Sequence, residues 1–514
     1  MHKNPSTAVA AASLILLAGA AITAAPAAHA GTPGGTHAND RNADFNGDGR
    51  EDVLTGAPGA TVGGHRGAGL VAVQYGSSRG ITTGSRAVIH QGTAGVQGAA
   101  EPGDAFGRAV ASGDLDGDGY DDAIVGIPGE DIGTVSDAGG LVILWGSPQG
   151  LSGTASQWLE SSVPGAGQNF GAGLAAAHFT GGTPGDVLAV LDRDDLGLYS
   201  FEPAPEARTE RKATGRTGRA SASERAAERV QGIGRSALAA EDAPEILPKT
   251  LTTGDYDNNG YADLVVSGIS TGAEPGHGWS VFFAGQEDGL VHGRDLRGGP
   301  VAASGDINGD GYDDLVTGEP NSPDDGGETM TGGLVGVHYG GAEGPAGTEG
   351  PDSPPQWWTQ DSAGVPGVAE RGDGWGTDLS LGDTDGDGYA DLAIGASGED
   401  IGTLADAGAV WILRGSQNGL TTAKVKDLNQ DSAGVPGEAE GADRFGGQVR
   451  LTDPDGDGRS VLLAAAPGEN TDDGVVWVFP ASSAGVTATG SWTYGAGSLG
   501  APAADAQFGA AIDD

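Results

Sequence analysis

The stretch Gly113 to Asp122 reads Gly-Asp-Leu-Asp-Gly-Asp-Gly-Tyr-Asp-Asp. It sets carboxylates at positions one, three, five and nine of a loop: Asp114, Asp116, Asp118 and Asp122. Gly117 and Gly119 let the backbone wrap tightly around whatever those oxygens surround. Four acids this close repel one another unless a cation lies among them. A hard cage of oxygens suits calcium, which takes six to eight oxygen ligands in flexible geometry, and Tyr120 at position seven would add its backbone carbonyl.

The pattern recurs. Asp44, Asn46, Asp48 and Asp52 repeat the spacing, as do Asp255, Asp257, Asn259 and Asp263, and Asp306, Asn308, Asp310 and Asp314. Asp383, Asp385, Asp387 and Asp391 form a fifth intact copy. Asp453, Asp455 and Asp457 begin a sixth, weaker because position nine is Val461. In a seventh place, His178 to Asp186, only the last acid remains, and no ion is expected there. A lone Asp-Gly loop could be a solvated turn; five copies in register predict calcium sites.

These loops must be positioned by something repetitive. They begin at 44, 114, 178, 255, 306, 383 and 453, so 51 to 77 residues separate neighbours. Each unit has a short lead strand (Phe106-Gly107 to Gly113), the acidic loop, an apolar strand (Ala123 to Val125) and a Gly-Ile-Pro-Gly turn at 126–129. A wholly apolar strand, Leu141 to Trp145, then runs into a turn at 146–151, and a strand near Gln157 to Leu159 closes the unit. The third strand and its turn recur at Leu70 to Ile81, Val281 to Leu290, Leu334 to Pro345, Val410 to Leu420 and Val475 to Val486. Strands apolar on both faces belong in covered sheets. Four short strands per unit, stacked sheet on sheet, make the blade of a β-propeller. The sequence therefore predicts an all-β fold, one seven-bladed propeller over 44–514 preceded by a lead at 31–43.

The ends predict how the ring closes. An aromatic-Gly pair stands eight residues ahead of four loops, at Phe106, Phe170, Trp375 and Phe445. The first unit has Thr36 and His37 there instead, while the chain ends Gln507-Phe508-Gly509-Ala510-Ala511-Ile512-Asp513-Asp514. The last strand is expected to complete the first blade, leaving no exposed edge. The segment 202–249 does not fit the plan. It holds nine basic and eight acidic residues with prolines at both ends, and is expected to be a charged, disordered insertion in which Ser221 and Glu224 could cap a short helix through Arg229.

Composition bounds the setting. Lys3, an apolar run from Ala8 to Ala25 and Ala28-His29-Ala30 before Gly31 predict a secretory signal peptide over 1–30, cleaved after Ala30. No second long apolar run predicts a membrane span, and with no cysteine the fold cannot be crosslinked by disulfides. A net charge of −45 excludes the basic footprint of a nucleic-acid binder. The expected product is a secreted, extracellular, soluble monomer rich in glycine, 97 residues of it, with no long helices.

Phe106-Gly107 before the acidic loop and Gly126-Ile127-Pro128 after it resemble the FG-GAP repeat of integrin α-subunit propellers. Gly56-Ala57-Pro58 and Ala466-Pro467 match the second half, and Gly395-Ala396-Ser397 departs at proline. The chain is similar to secreted bacterial FG-GAP proteins of integrin-α-like type. That resemblance implies a seven-bladed propeller with calcium in strand-connecting loops and a role in ligand binding or adhesion; the units at 255 and 306 lack the aromatic-Gly pair.

The functional expectation is a non-catalytic calcium-binding module for an unknown extracellular protein or glycan. Segments 129–134 and 398–403, and 360–367 and 430–437, are candidate rim surfaces, although their repetition also suits framework hairpins. Arg371-Gly372-Asp373 spells an adhesion tripeptide, but Glu101-Pro102-Gly103-Asp104 and Glu440-Gly441-Ala442-Asp443 hold the same repeat position without it. The alternatives are a hydrolase of phospholipase or esterase type, with which such propellers associate, and a structural cell-envelope protein. The nine histidines are scattered and form no H-E-x-x-H pair, which weighs against the hydrolase.

Overall fold

A computed structural model describes residues 43–193, 195–203, 226–234, 245–271, 275–321, 332–346 and 354–513. The expected signal peptide and most of the 31–43 lead lie outside them. Strands in the described residues form seven four-stranded antiparallel sheets, and helix is confined to two four-residue turns. The second blade shows the plan: Val110–Gly113 innermost, then Asp122–Ile127, Gly140–Leu144 and Ser156–Leu159 outermost. The second and third strands are buried along their whole length, as apolar runs between stacked sheets must be. The innermost strands stand side by side around a central channel of about 350 Å³.

The core is not central. It is divided into seven hydrophobic clusters, one at each seam between blades. Seven blades in an open row would have six seams. The seventh lies between the last and first blades, where Leu463, Ala465, Val476 and Phe508 meet Val53, Ala72 and Ile512. Closure is also made by strand pairing: Ala511–Ile512 pairs antiparallel with Val53–Ala57, through Gly56↔Ala511 and Thr55↔Ile512. The C-terminal strand thus completes blade one, as the sequence predicts.

The aromatic-Gly pair explains five of the seven seams. Phe106 N–H donates to Ala68 O at 3.0 Å, Phe170 to Ala138 at 3.0 Å, Phe445 to Ala407 at 2.9 Å and Phe508 to Asp473 at 3.0 Å. In each case the ring is fully buried against the preceding blade. The glycine that follows has φ of +83° at Gly107 and +86° at Gly509, a conformation that favours glycine. Its carbonyl lies against the glycine of the Gly-Ala-Pro turn: a Cβ on Gly126 would sit 2.1 Å from Gly171 O. The two halves of the motif are therefore one contact, made across a seam.

The fourth and fifth blades meet without that pair. Their cluster is the smallest, built on Tyr256, Val265, Phe282, Leu296 and Leu315, and Tyr256 Oη pairs with Ser304 Oγ at 2.5 Å. The segment 202–249 differs from expectation in part. Ala227–Ile233 is the outermost strand of blade three, so Arg229 lies on a strand and no helix reaches it. Ile246–Gly254 is already the innermost strand of blade four. Ser221 and Glu224 lie outside the described residues.

Candidate metal centres

Five of the six acidic loops join the innermost strand of their blade to its second strand, and that of Asp44 leads into the second strand of blade one, whose innermost strand is Ala511–Ile512, so all of them lie on one end of the ring. In all six loops the position-one carboxylate folds the loop around itself. Asp114 Oδ1 accepts Asp118 N–H at 3.0 Å and Oδ2 accepts Gly119 N–H at 2.9 Å. Asp44, Asp255, Asp306, Asp383 and Asp453 make the same pair of bonds. Gly117 and Gly119 have φ of +70° and +89°, which the tight wrap requires.

Position nine does a different job. Asp122 Oδ2 accepts Leu115 N–H at 3.0 Å and Oδ1 accepts Gly146 N–H at 2.8 Å, tying the loop to the turn after the third strand. Asp52, Asp263, Asp314 and Asp391 repeat both contacts. The glycine is needed because a Cβ at Gly146 would lie 2.3 Å from Asp121 O. Blade seven loses both partners together, with Val461 for the acid and Ala481 where its siblings have glycine. Burial pushes Asp52, Asp263 and Asp314 up to about 8, opposed by the N–H donors and reinforced by neighbouring carboxylates.

Three ligand oxygens come within 4.8 Å of one another in four loops: Asp114, Asp116 and Asp122; Asp255, Asp257 and Asp263; Asp383, Asp385 and Asp391; Asp453, Asp455 and Asp457. Position three joins the cluster each time. In the loops of Asp44 and Asp306 it is Asn46 and Asn308, and no three carboxylates gather there among the described residues. Positions five (Asp48, Asp118, Asn259, Asp310, Asp387) stay nearer solvent. In the sixth loop Asp455 Oδ1 is buried and accepts no hydrogen bond. The donors are all oxygens, a set that fits a hard divalent cation and not a thiolate- or imidazole-seeking one.

Two features were not foreseen. The first is position eight, which serves the neighbouring loop. Asp121 Oδ2 accepts Asp44 N–H at 2.7 Å, and Asp313 Oδ2 accepts Asp255 N–H at 2.8 Å, each across a seam. Glu51 does the same for Asp453 at 2.8 Å, closing the ring electrostatically. Asp186 belongs to this set and not to position nine. The pairing Ala177↔Val187 makes its loop one residue longer than that of Gly113↔Asp122, and Asp186 Oδ2 accepts Asp114 N–H at 3.1 Å. The doublets Asp121-Asp122 and Asp313-Asp314 were the signal available in the sequence. The second feature is Arg414, buried at the end of the third strand of blade six, whose guanidinium reaches Asp385 and Asp391.

The other end of the ring carries a repeated clamp. Gln91, Gln360 and Gln430 donate through Nε2 to Glu130 (2.7 Å), Glu399 (2.8 Å) and Glu469 (2.6 Å) of the next blade. Burial pushes each of these glutamates up to about 7. Asp104, Asp373 and Asp443 accept the N–H of Glu101, Glu370 and Glu440 at 2.6, 2.5 and 2.7 Å. Asp373 is thus a buried framework residue, and Arg371-Gly372-Asp373 does not display its acid. The repeated rim segments 129–134 and 398–403 are closed by the bridges Ile132↔Val135 and Ile401↔Leu404, as framework hairpins are. Gly76–Gly80 and Gly268–Gly272 spell the letters of a serine elbow, which needs a strand running into a helix. Ser78 lies in a turn, and Ser270 is buried with its Oγ accepting His277 N–H at 3.1 Å.

The FG-GAP repeat profile matches residues 42–73, 106–145, 298–333 and 375–413. No curated protein matches the chain. Among solved structures, Sqt1 from Chaetomium thermophilum is 12% identical with a TM-score of 0.40, covering 72% of this chain and 68% of its own. A protein from Lactobacillus plantarum is 10% identical with a TM-score of 0.44, covering 90% of this chain and 98% of its own.

Proposed function

We propose that this chain, a seven-bladed propeller carrying FG-GAP repeats, is a secreted calcium-binding module that holds an extracellular protein or glycan and catalyses no reaction. The observation that supports it is the placement of the acidic loops. They lie on one end of the ring, each is bonded across a seam to the next, and four of them gather three carboxylates whose oxygens fit calcium. Asp44, Asn46, Asp48 and Asp52, and their counterparts in the other loops, would hold the ions. The ion would supply positive charge and stiffness to the seams, with no part in bond-breaking. No helix among the described residues is long and apolar enough to cross a membrane.

A non-catalytic role agrees with how the acids are used. General acids and bases must be free to exchange protons with substrate. Here the acids of one end fold loops and the acids of the other end clamp hairpins. The test is a pull-down. Immobilised protein would be exposed to washed cells, wall polysaccharides and secreted proteins in millimolar calcium, then eluted with EDTA. A saturable partner released by the chelator is the expected result. An empty eluate from folded, calcium-loaded protein would overturn the binding role in favour of the hydrolase or envelope alternatives, and turnover of phospholipid or ester substrates would separate those two.

A further inference from the structure

We infer that the loop Asp383–Asp391 carries its own cation, the guanidinium of Arg414, and takes no calcium at concentrations that fill its siblings. The inference rests on the calcium reading above and corrects it at one loop. By sequence this copy is as complete as that of Asp114, with acids at positions one, three, five and nine. By structure it differs from all the others.

Arg414 stands where blades one, two and five have Tyr75, Trp145 and Tyr339, immediately before the glycine that contacts position nine. Tyr75 Oη spans the seam to accept Leu151 N–H at 2.8 Å. Arg414 spans the same seam, with Nη2 donating to Ala484 O at 2.9 Å, but its other branch turns into the loop. Nη1 lies 2.5 Å from Asp391 Oδ2, 3.2 Å from Asp385 Oδ2 and 2.7 Å from Thr384 Oγ1. The guanidinium therefore bridges positions three and nine, two of the three acids that converge here.

Position two changes in step. It is Phe45, Leu115, Tyr256 and Ile307 in the other intact loops, and all four side chains are fully buried and packed in the core. Here it is Thr384, whose hydroxyl also donates to Asp391 Oδ2. A polar residue in that apolar place makes room for a buried charge. Lys424 Nζ adds a second cation 4.0 Å from Asp385 Oδ2. A calcium ion binds carboxylate oxygens at about 2.3–2.6 Å. Bound to Asp385 Oδ2 and Asp391 Oδ2 it would be in near contact with Nη1, and would have to displace a buried guanidinium held by Asp391, Asp385, Thr384 and Ala484. Buried opposite charges in this geometry hold one another firmly once made.

The test counts bound ions directly, by equilibrium dialysis of the full chain against radioactive calcium at 1 mM. The variants are Arg414→Met, Asp385→Asn and Asp116→Asn. Asp116→Asn is expected to bind one ion fewer than the native protein, and Asp385→Asn the same number as native. Arg414→Met is expected to bind one ion more. Should Arg414→Met fail to fold, the two asparagine variants still decide the matter. Loss of one ion by Asp385→Asn, matching Asp116→Asn, would overturn the inference while leaving the calcium reading intact. No calcium on any of the four proteins would overturn both. A second readout is amide exchange in EDTA, where the loop at 384–391 should stay protected while that at 115–122 exchanges at least about tenfold faster, as unclamped loops open from the low-stability end.

Discussion

Substituting Asp122 with alanine should separate framework from ion. Its carboxylate is 1% exposed and accepts two N–H groups, Leu115 at 3.0 Å and Gly146 at 2.8 Å. Alanine leaves both buried donors without their acceptor. Each orphaned buried group costs about 1–3 kcal/mol, so the pair costs about 2–6 kcal/mol. Nothing in that sum involves a cation, and the loss should persist in EDTA. Asp116→Ala removes an acceptor for one N–H, Asp118 at 3.2 Å in a part-buried loop, and should cost under about 1 kcal/mol in EDTA while abolishing one ion's worth of stabilisation in calcium. The assay is denaturant unfolding followed by tryptophan fluorescence, for both variants, with calcium and with chelator. Equal losses for the two variants in EDTA would refute the division of labour between positions nine and three.

Other outcomes follow from the seams. Phe508→Ala empties a fully buried ring site at the closing seam and should cost about 3–5 kcal/mol, read as a fall in melting temperature as large as that of Phe106→Ala. Gly126→Ala places a Cβ 2.1 Å from backbone Gly171 O and should leave little folded protein on size-exclusion chromatography. Asp186→Ala removes the acceptor of Asp114 N–H and should destabilise by about 1–3 kcal/mol, although the sequence marks its loop as degenerate. Glu130, Glu399 and Glu469 have folded values of about 7 against an ordinary 4.5, so the native state binds more protons between those limits. Stability from these groups is fully present below pH 4.5 and is lost as pH rises through about 7. Replacing all three with glutamine should flatten the melting-temperature profile across that window in chelator.

Much of this was legible in the sequence because repetition isolates function from chance. Seven loops at similar intervals, apolar third strands and the Phe508-Gly509 pair ahead of the closing strand determine blade count and closure. The strand Ala227–Ile233 was not legible, since the outermost strand of a blade is solvated and all but its last residues are exposed. Charge there reads like disorder. Tyr256 follows the first acid of its loop and nothing in its local spacing marks it, yet it fills the seam of blades four and five, where the aromatic-Gly pair is missing. Arg414 lies 23 residues beyond the acid it binds, and only the pairing of the second and third strands brings them together. The position-eight acids act across seams, on residues 58 to 402 places away, which local spacing cannot reveal.

The central claim is that calcium holds the seams, and thermal unfolding across a calcium titration tests it most directly. At an extracellular-type affinity of about 0.1 mM and about 1 mM free calcium, each filled loop contributes about 1.4 kcal/mol. The account predicts a melting temperature that climbs continuously from chelator to millimolar calcium, with magnesium giving a much smaller rise. A melting curve that is the same in EDTA and in millimolar calcium would contradict it.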